Sequence, residues 1–143
     1  MPPASAEWRD AWAVTESVFK EMRDEVCAHG ARFGAAVLST DIQVYPDRAV
    51  REAFQKKLGV GDLDYADSRL LAFSEREGIP AIALAGPLRE YAESRKVYLH
   101  GFSNTVPGYH HWNEDGHRRA GELLASWIRA ETAKRLVSMC GGR

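Results

Sequence analysis

The chain has 143 residues, the size of one ordinary domain, with 45% hydrophobic and 27% charged residues. Its formal net charge is -1, so it carries neither the basic field that suits nucleic acid nor an acidic field for a cationic partner. No apolar run approaches the roughly 20 residues that span a bilayer, and the opening MPPASAEWRD does not read as a secretory signal.

Trp8, Trp12, Thr15, Phe19, Met22 and Val26 recur every three or four residues among charged neighbours. That spacing predicts an amphipathic helix over about residues 6–28, closed by Gly30 in HGAR. Cys27 falls in this helix and Cys140 in the terminal CGGR; neither has metal-ligand spacing, and both are read as free thiols, with a disulfide between them as the alternative. They leave the compartment open. Residues 33–38 are apolar without alternation, the pattern of a strand buried on both faces in a parallel sheet. YPDRAVREAFQKKLG opens at a turn and predicts a short helix ending near Gly59. Residues 65–77 predict another, carrying Leu70, Leu71 and Phe73.

GIPAIALAG predicts a second buried strand over residues 81–84. PLREYAESR is a helical turn or short helix begun by Pro87. KVYLHGF reads as a brief extended segment, followed by a loop through Pro107 and Gly108. The last helix is expected over about residues 114–136, with Leu123, Leu124, Trp127 and Ile128 on its buried stripe. Strands alternating with helices indicate an α/β fold with parallel strands. Two strands leave two sheet edges to cover, so the pattern is that of the second half of a larger doubly wound domain. Such a chain is expected to expose an apolar patch and to self-associate or pair with the missing half.

GYHHWNEDGH, residues 108–117, holds three of the five histidines. Asn113 suits a helix N-cap, and Glu114 and Asp115 suit the positive end of the helix dipole. His117 falls in the first helical turn and is read as structural, and Trp112 as core or cleft wall. A zinc site from His100, His110, His111 and His117 is disfavoured, because no two of them share a helical face at i, i+4 and no cysteine is near. Asp41 follows the first strand, the end where α/β sites are built, and is read as a surface turn.

HHWNEDGHRRAGELLASWI resembles the last block of SGNH (GDSL-type) hydrolases, where a catalytic histidine precedes an x-N-x-x-G-H turn that starts the C-terminal helix. GARFGAAVLST is similar to that family's penultimate core strand, GIPAIALAGPLREYA to its last core strand and following turn, and YLHGFSN to the loop leading to the histidine. The resemblance covers about residues 8–128. It implies the C-terminal half of a flavodoxin-like three-layer α/β/α domain over residues 6–137, lacking the nucleophile block. A flexible segment 1–5 and a flexible tail 138–143 would flank it.

The resemblance further implies hydrolysis of carboxylic esters, with O-acetyl groups on carbohydrate or lipid among the candidate substrates. His111 would be the general base, with Tyr109, His110 and Asn113 as substrate-binding or orienting neighbours. No cofactor and no metal are implied. The family's aspartate two or three residues before the histidine is replaced by Tyr109 and Gly108, so a backbone carbonyl or an acid from elsewhere would orient the ring. The GDS-like turn and the oxyanion donors are absent from this sequence. Neither Ser39 in LSTD nor Ser103 and Asn104 in GFSN fit their places. The chain alone is therefore expected to be inactive. The alternative is a non-catalytic α/β domain that keeps the histidine turn for stability or binding.

Overall fold

A computed structural model describes residues 5–134. Of the expected N-terminal segment only Ser5 is included. The expected tail, the end of the last helix beyond residue 134, and Cys140 lie outside the described residues. In chain order the elements are α1 (Ala6–Ala28), β1 (Ala35–Val37), a 3-10 turn (Ile42–Val44), α2 (Arg48–Leu58), α3 (Tyr65–Arg76), β2 (Ala81–Ala83), α4 (Ala85–Arg95) and α5 (Glu114–Ala133). The class is α/β, with β1 and β2 paired in parallel and Ala35, Ala36 and Val37 opposite Ala81, Ile82 and Ala83.

The helices start where short polar side chains can take their orphan N–H groups. Ser5 accepts from Trp8 N–H at 3.4 Å, Asp47 from Ala49 N–H at 2.8 Å, and Asn113 from Gly116 N–H at 2.9 Å. α4 starts at Ala85, two residues before the expected Pro87. KVYLHGF contributes no strand, only an isolated antiparallel bridge between His100 and Trp112. No helix among the described residues is long and apolar enough to cross a membrane.

Two small cores lie on opposite faces of the strand pair, because neighbouring strand residues point opposite ways. Ala35, Phe73 and Ile79 form one, with Phe19, Phe33 and Ala81 packed against it. Val44, Leu84, Leu88, Ala92, Leu99 and Ala120 form the other, with Ile82, Trp112, Leu123 and Leu124 against it. The expectation of strands buried on both faces does not hold for β1. Ala36 is exposed, and Leu38 just beyond it is 57% exposed. An apolar run tells of burial only if something lies over each face, and nothing among the described residues covers this one.

Two helical stripes also differ from expectation. On α1, Trp12, Phe19 and Val26 are half-buried, but Trp8 is 63% exposed and Met22 stands in solvent. On α5, Leu123, Leu124 and Trp127 are half-buried, whereas Ile128 is 55% exposed. The free-thiol reading fails for Cys27, which is disulfide-bonded.

The 3-10 turn was not foreseen. It buries Val44 and Gln43 together. The Gln43 amide joins three segments: its Oε1 accepts from Thr40 N–H at 2.8 Å, and its Nε2 donates to the Leu63 carbonyl at 3.1 Å and to Asp67 at 3.3 Å. Arg89 closes the cluster through two bonds to Asp64. Burial pushes the Asp67 carboxyl above its ordinary value, against the Gln43 bond that lowers it.

Candidate functional site

The loop between α4 and α5 is closed like a hairpin at its base. Asn113 N–H donates to the Leu99 carbonyl at 3.0 Å, Gly101 N–H to His111 at 2.9 Å, and Gly108 N–H to His100 at 2.9 Å. Gly108 has φ +87, which favours glycine. A Cβ there would stand 2.7 Å from carbons of both Tyr45 and Tyr98. Gly116, in the first turn of α5, touches the Leu99 carbonyl so closely that a Cβ would fall 2.2 Å from its oxygen. The loop is thus pressed between a tyrosine cluster and the start of α5.

His110 sits at φ +73, a conformation uncommon outside glycine and costing about 1–3 kcal/mol. Both sides of its backbone are held. The Asp41 carboxylate accepts its N–H at 2.9 Å, and its carbonyl accepts from His100 Nδ1 at 2.7 Å. Asp41 also accepts Ile42 N–H at 2.7 Å, which fixes the carboxylate at the end of β1. Asp41, read from sequence as a surface turn, is therefore the clamp on the histidine loop.

Beside this clamp lies a cavity of about 320 Å³ lined by Leu38, Ser39, His100, His110, His111, Trp112 and His117. Leu38 and Ser39 follow β1 directly, so the cavity opens at the carboxyl end of that strand, the usual place for an α/β site. The Trp112 indole N–H donates to Ser39 Oγ at 3.0 Å. The His117 ring meets Trp112 edge-on, 5.6 Å between centroids.

The structure brings His110 and His111 together in this lining. His111 is exposed, and no hydrogen bond to its ring occurs among the described residues. Asn113 is engaged at both ends of its amide, by Gly116 N–H and by the Tyr98 carbonyl at 2.8 Å. Tyr109 does not line the cavity but packs against Tyr45, 5.8 Å between ring centroids. Ser103 and Asn104 are exposed in a turn away from it.

The ring held by a backbone carbonyl is His100, not His111. A carbonyl only accepts, so His100 Nδ1 carries a proton, and in the neutral ring Nε2 is a bare lone pair. His100 is 4% exposed, and its Nε2 has no partner. Burial pulls its pKa below the ordinary value, His111 adding to this, while the bond to His110 and the charge of Asp41 act the other way. No group of three or more His, Cys, Asp or Glu among the described residues is arranged to hold a metal ion.

Comparisons with family models, with curated proteins and with solved structures found no match.

Proposed function

We propose that the chain carries the histidine-bearing side of an SGNH-type serine hydrolase, the C-terminal half of a flavodoxin-like three-layer α/β/α domain acting on carboxylic esters. The observation that carries this reading is the position of His111. It stands at a cavity beyond the end of β1, on a loop whose backbone is pinned by Asp41 on one side and Gly101 on the other. The edge of β1 left unpaired among the described residues, and its face left uncovered by them, are where a nucleophile-bearing segment would join, whether as a partner or as the other half of the same domain.

In that assembly His111 takes the serine proton as Oγ attacks the ester carbonyl, then gives it to the oxygen of the leaving alcohol. Water repeats the cycle and frees the acid. The group that orients the His111 ring would arrive with the same segment. The rival is a non-catalytic α/β domain that keeps the histidine turn, and the lack of a ring hydrogen bond to His111 among the described residues favours it.

Fluorophosphonate labelling of the chain alone is expected to mark no serine. Hydrolysis of p-nitrophenyl acetate should stay at the level of His111→Ala. When a nucleophile-bearing segment is added, turnover should appear and vanish in His111→Ala. Labelling of Ser39, or turnover abolished by Ser39→Ala in the chain alone, would put the nucleophile in this chain. Turnover of the assembly that ignores His111→Ala would remove His111 as base and leave the rival.

A further inference from the structure

Cys27 is disulfide-bonded, and the sequence holds one other cysteine, Cys140. Cys27 lies in the last turn of α1, which packs through Phe19 on the Phe73 side of the strand pair. α5 packs on the opposite side, through Ala120, Leu123 and Leu124. The described residues end at Lys134, one position past α5. A bond from Cys27 to Cys140 therefore carries the six residues after Lys134 from one side of the strand pair to the other. Six residues reach about 20 Å when fully extended, which leaves little room for a detour.

A groove of about 340 Å³ lies at this crossing. Phe33 and Gly34, just before β1, and Pro80, just before β2, line it from the strand side. Trp127, Ile128 and Thr132 line it from α5. The Trp127 ring lies against the Gly34 backbone, where an added Cβ would stand 3.0 Å from its Cη2. The C-terminal half of α5 thus meets the N-terminal end of β1, the end that the chain enters on leaving α1. Thr132 comes two positions before Lys134, and Phe33 six positions after Cys27. The groove is mainly apolar, and Ile128 on its α5 side is 55% exposed. Between Lys134 and Cys140 the sequence supplies Leu136, Val137 and Met139.

We infer that residues 135–140 form a strap that crosses the N-terminal ends of β1 and β2, fills this groove with apolar side chains and is anchored by a Cys27–Cys140 disulfide. The occupant is this segment rather than a second copy of the chain, because one end of it starts beside the groove wall and the disulfide draws the other to the end of α1. A segment held at both ends is present at the groove at high effective concentration, so a few apolar contacts are enough to seat it. The bond closes a loop that takes in most of the chain, the case in which a cross-link constrains the unfolded state most. The strap joins the two helical layers at the end of the strands remote from the histidine cavity, and it does not rest on the hydrolase reading.

The full chain, oxidised with glutathione disulfide, tests the strap. Non-reducing peptide mapping after alkylation should recover Cys27 joined to Cys140 from a monomer. Methyl NOEs from Leu136, Val137 or Met139 should reach the Trp127 ring and Ile128, and they should persist on dilution. Reduction with a phosphine should lower the melting temperature by roughly 10 °C and shift the Trp127 indole N–H, and Cys140→Ser should do the same without reductant. Val137→Asp, which leaves both cysteines in place, should keep the cross-link, weaken the NOEs and shift the same indole signal. A cross-link between two copies, a free thiol at Cys27, or an intact Cys27–Cys140 bond without NOEs from residues 136–139 to the groove would overturn the strap. NOEs that fade on dilution would put a second copy in the groove and overturn it as well.

Discussion

The Asp41 carboxylate holds the backbone N–H of His110 at 2.9 Å across 69 positions of sequence. One side chain at the end of β1 thereby sets the conformation of a loop from the far end of the chain. Because the His110 N–H points at a charge, the bond is of the stronger kind. Asp41→Ala should cost about 1.5–3 kcal/mol in urea unfolding, and it should move the imidazole resonances of both His100 and His110. A loss below about 0.5 kcal/mol would show that the loop holds itself.

Gly108 meets the tyrosines with no room for a methyl group and at a φ that strains any other residue. Gly108→Ala should therefore destabilise by about 1–3 kcal/mol. It should also change the near-ultraviolet circular dichroism of Tyr45 and Tyr98, whose rings meet 5.4 Å apart. The Tyr45 phenol, raised to about 12 with the Tyr98 phenol as the foremost cause, should titrate at lower pH in the variant.

The folded pKa of His100 lies below its unfolded value, so the unfolded chain binds the proton first. Stability is full above about pH 6.5 and falls as the pH drops below it, by up to about 1.4 kcal/mol per pH unit while this one group is involved. Chemical denaturation between pH 7.5 and 5 should show this loss. The slope should flatten in His100→Asn. An equal slope in both would assign the acid sensitivity elsewhere.

Asp67 behaves in the opposite sense. Its folded pKa is raised, so the folded chain holds the proton more tightly and the charge weakens the fold once the pH exceeds the ordinary carboxylate range. Asp67→Asn should raise the melting temperature at pH 7 and have little effect near pH 3. A lower melting temperature at pH 7 would mean that the bond from Gln43 outweighs burial.

The helices and the parallel pair were legible because their signals are local. Asn113 before an acidic first turn marks a helix start whatever surrounds it. The contiguous apolar runs at β1 and β2 marked strands, but they could not say which faces would be covered, since that depends on elements remote in sequence. The site was legible in part. Three histidines before a helix drew attention to the loop, and His110 and His111 do line the cavity. The roles of Asp41 and His100 were not readable, because each depends on one contact across the fold: a carboxylate on a distant N–H, and a ring on the carbonyl of a residue at positive φ. The strand-end position of Asp41 was the one available hint.

Helix α1 spans 23 residues, about 35 Å, without a single buried side chain. Its hold on the rest grows toward its C-terminal half, where Phe19 meets Phe33 and Phe73 edge-on, Arg23 donates to the Glu77 carbonyl, and Cys27 is cross-linked. Toward Ser5 its described contacts include those of Trp12 with Tyr65 and Arg69 and the pairing of Glu16 with Arg69. Detachment of this helix should therefore run as a peel from one end, with amide hydrogen exchange slowing toward residue 26. The early turns would open and close many times in the lifetime of one global unfolding event, so a protease able to cut within residues 6–14 should nick the folded chain while leaving both cores intact.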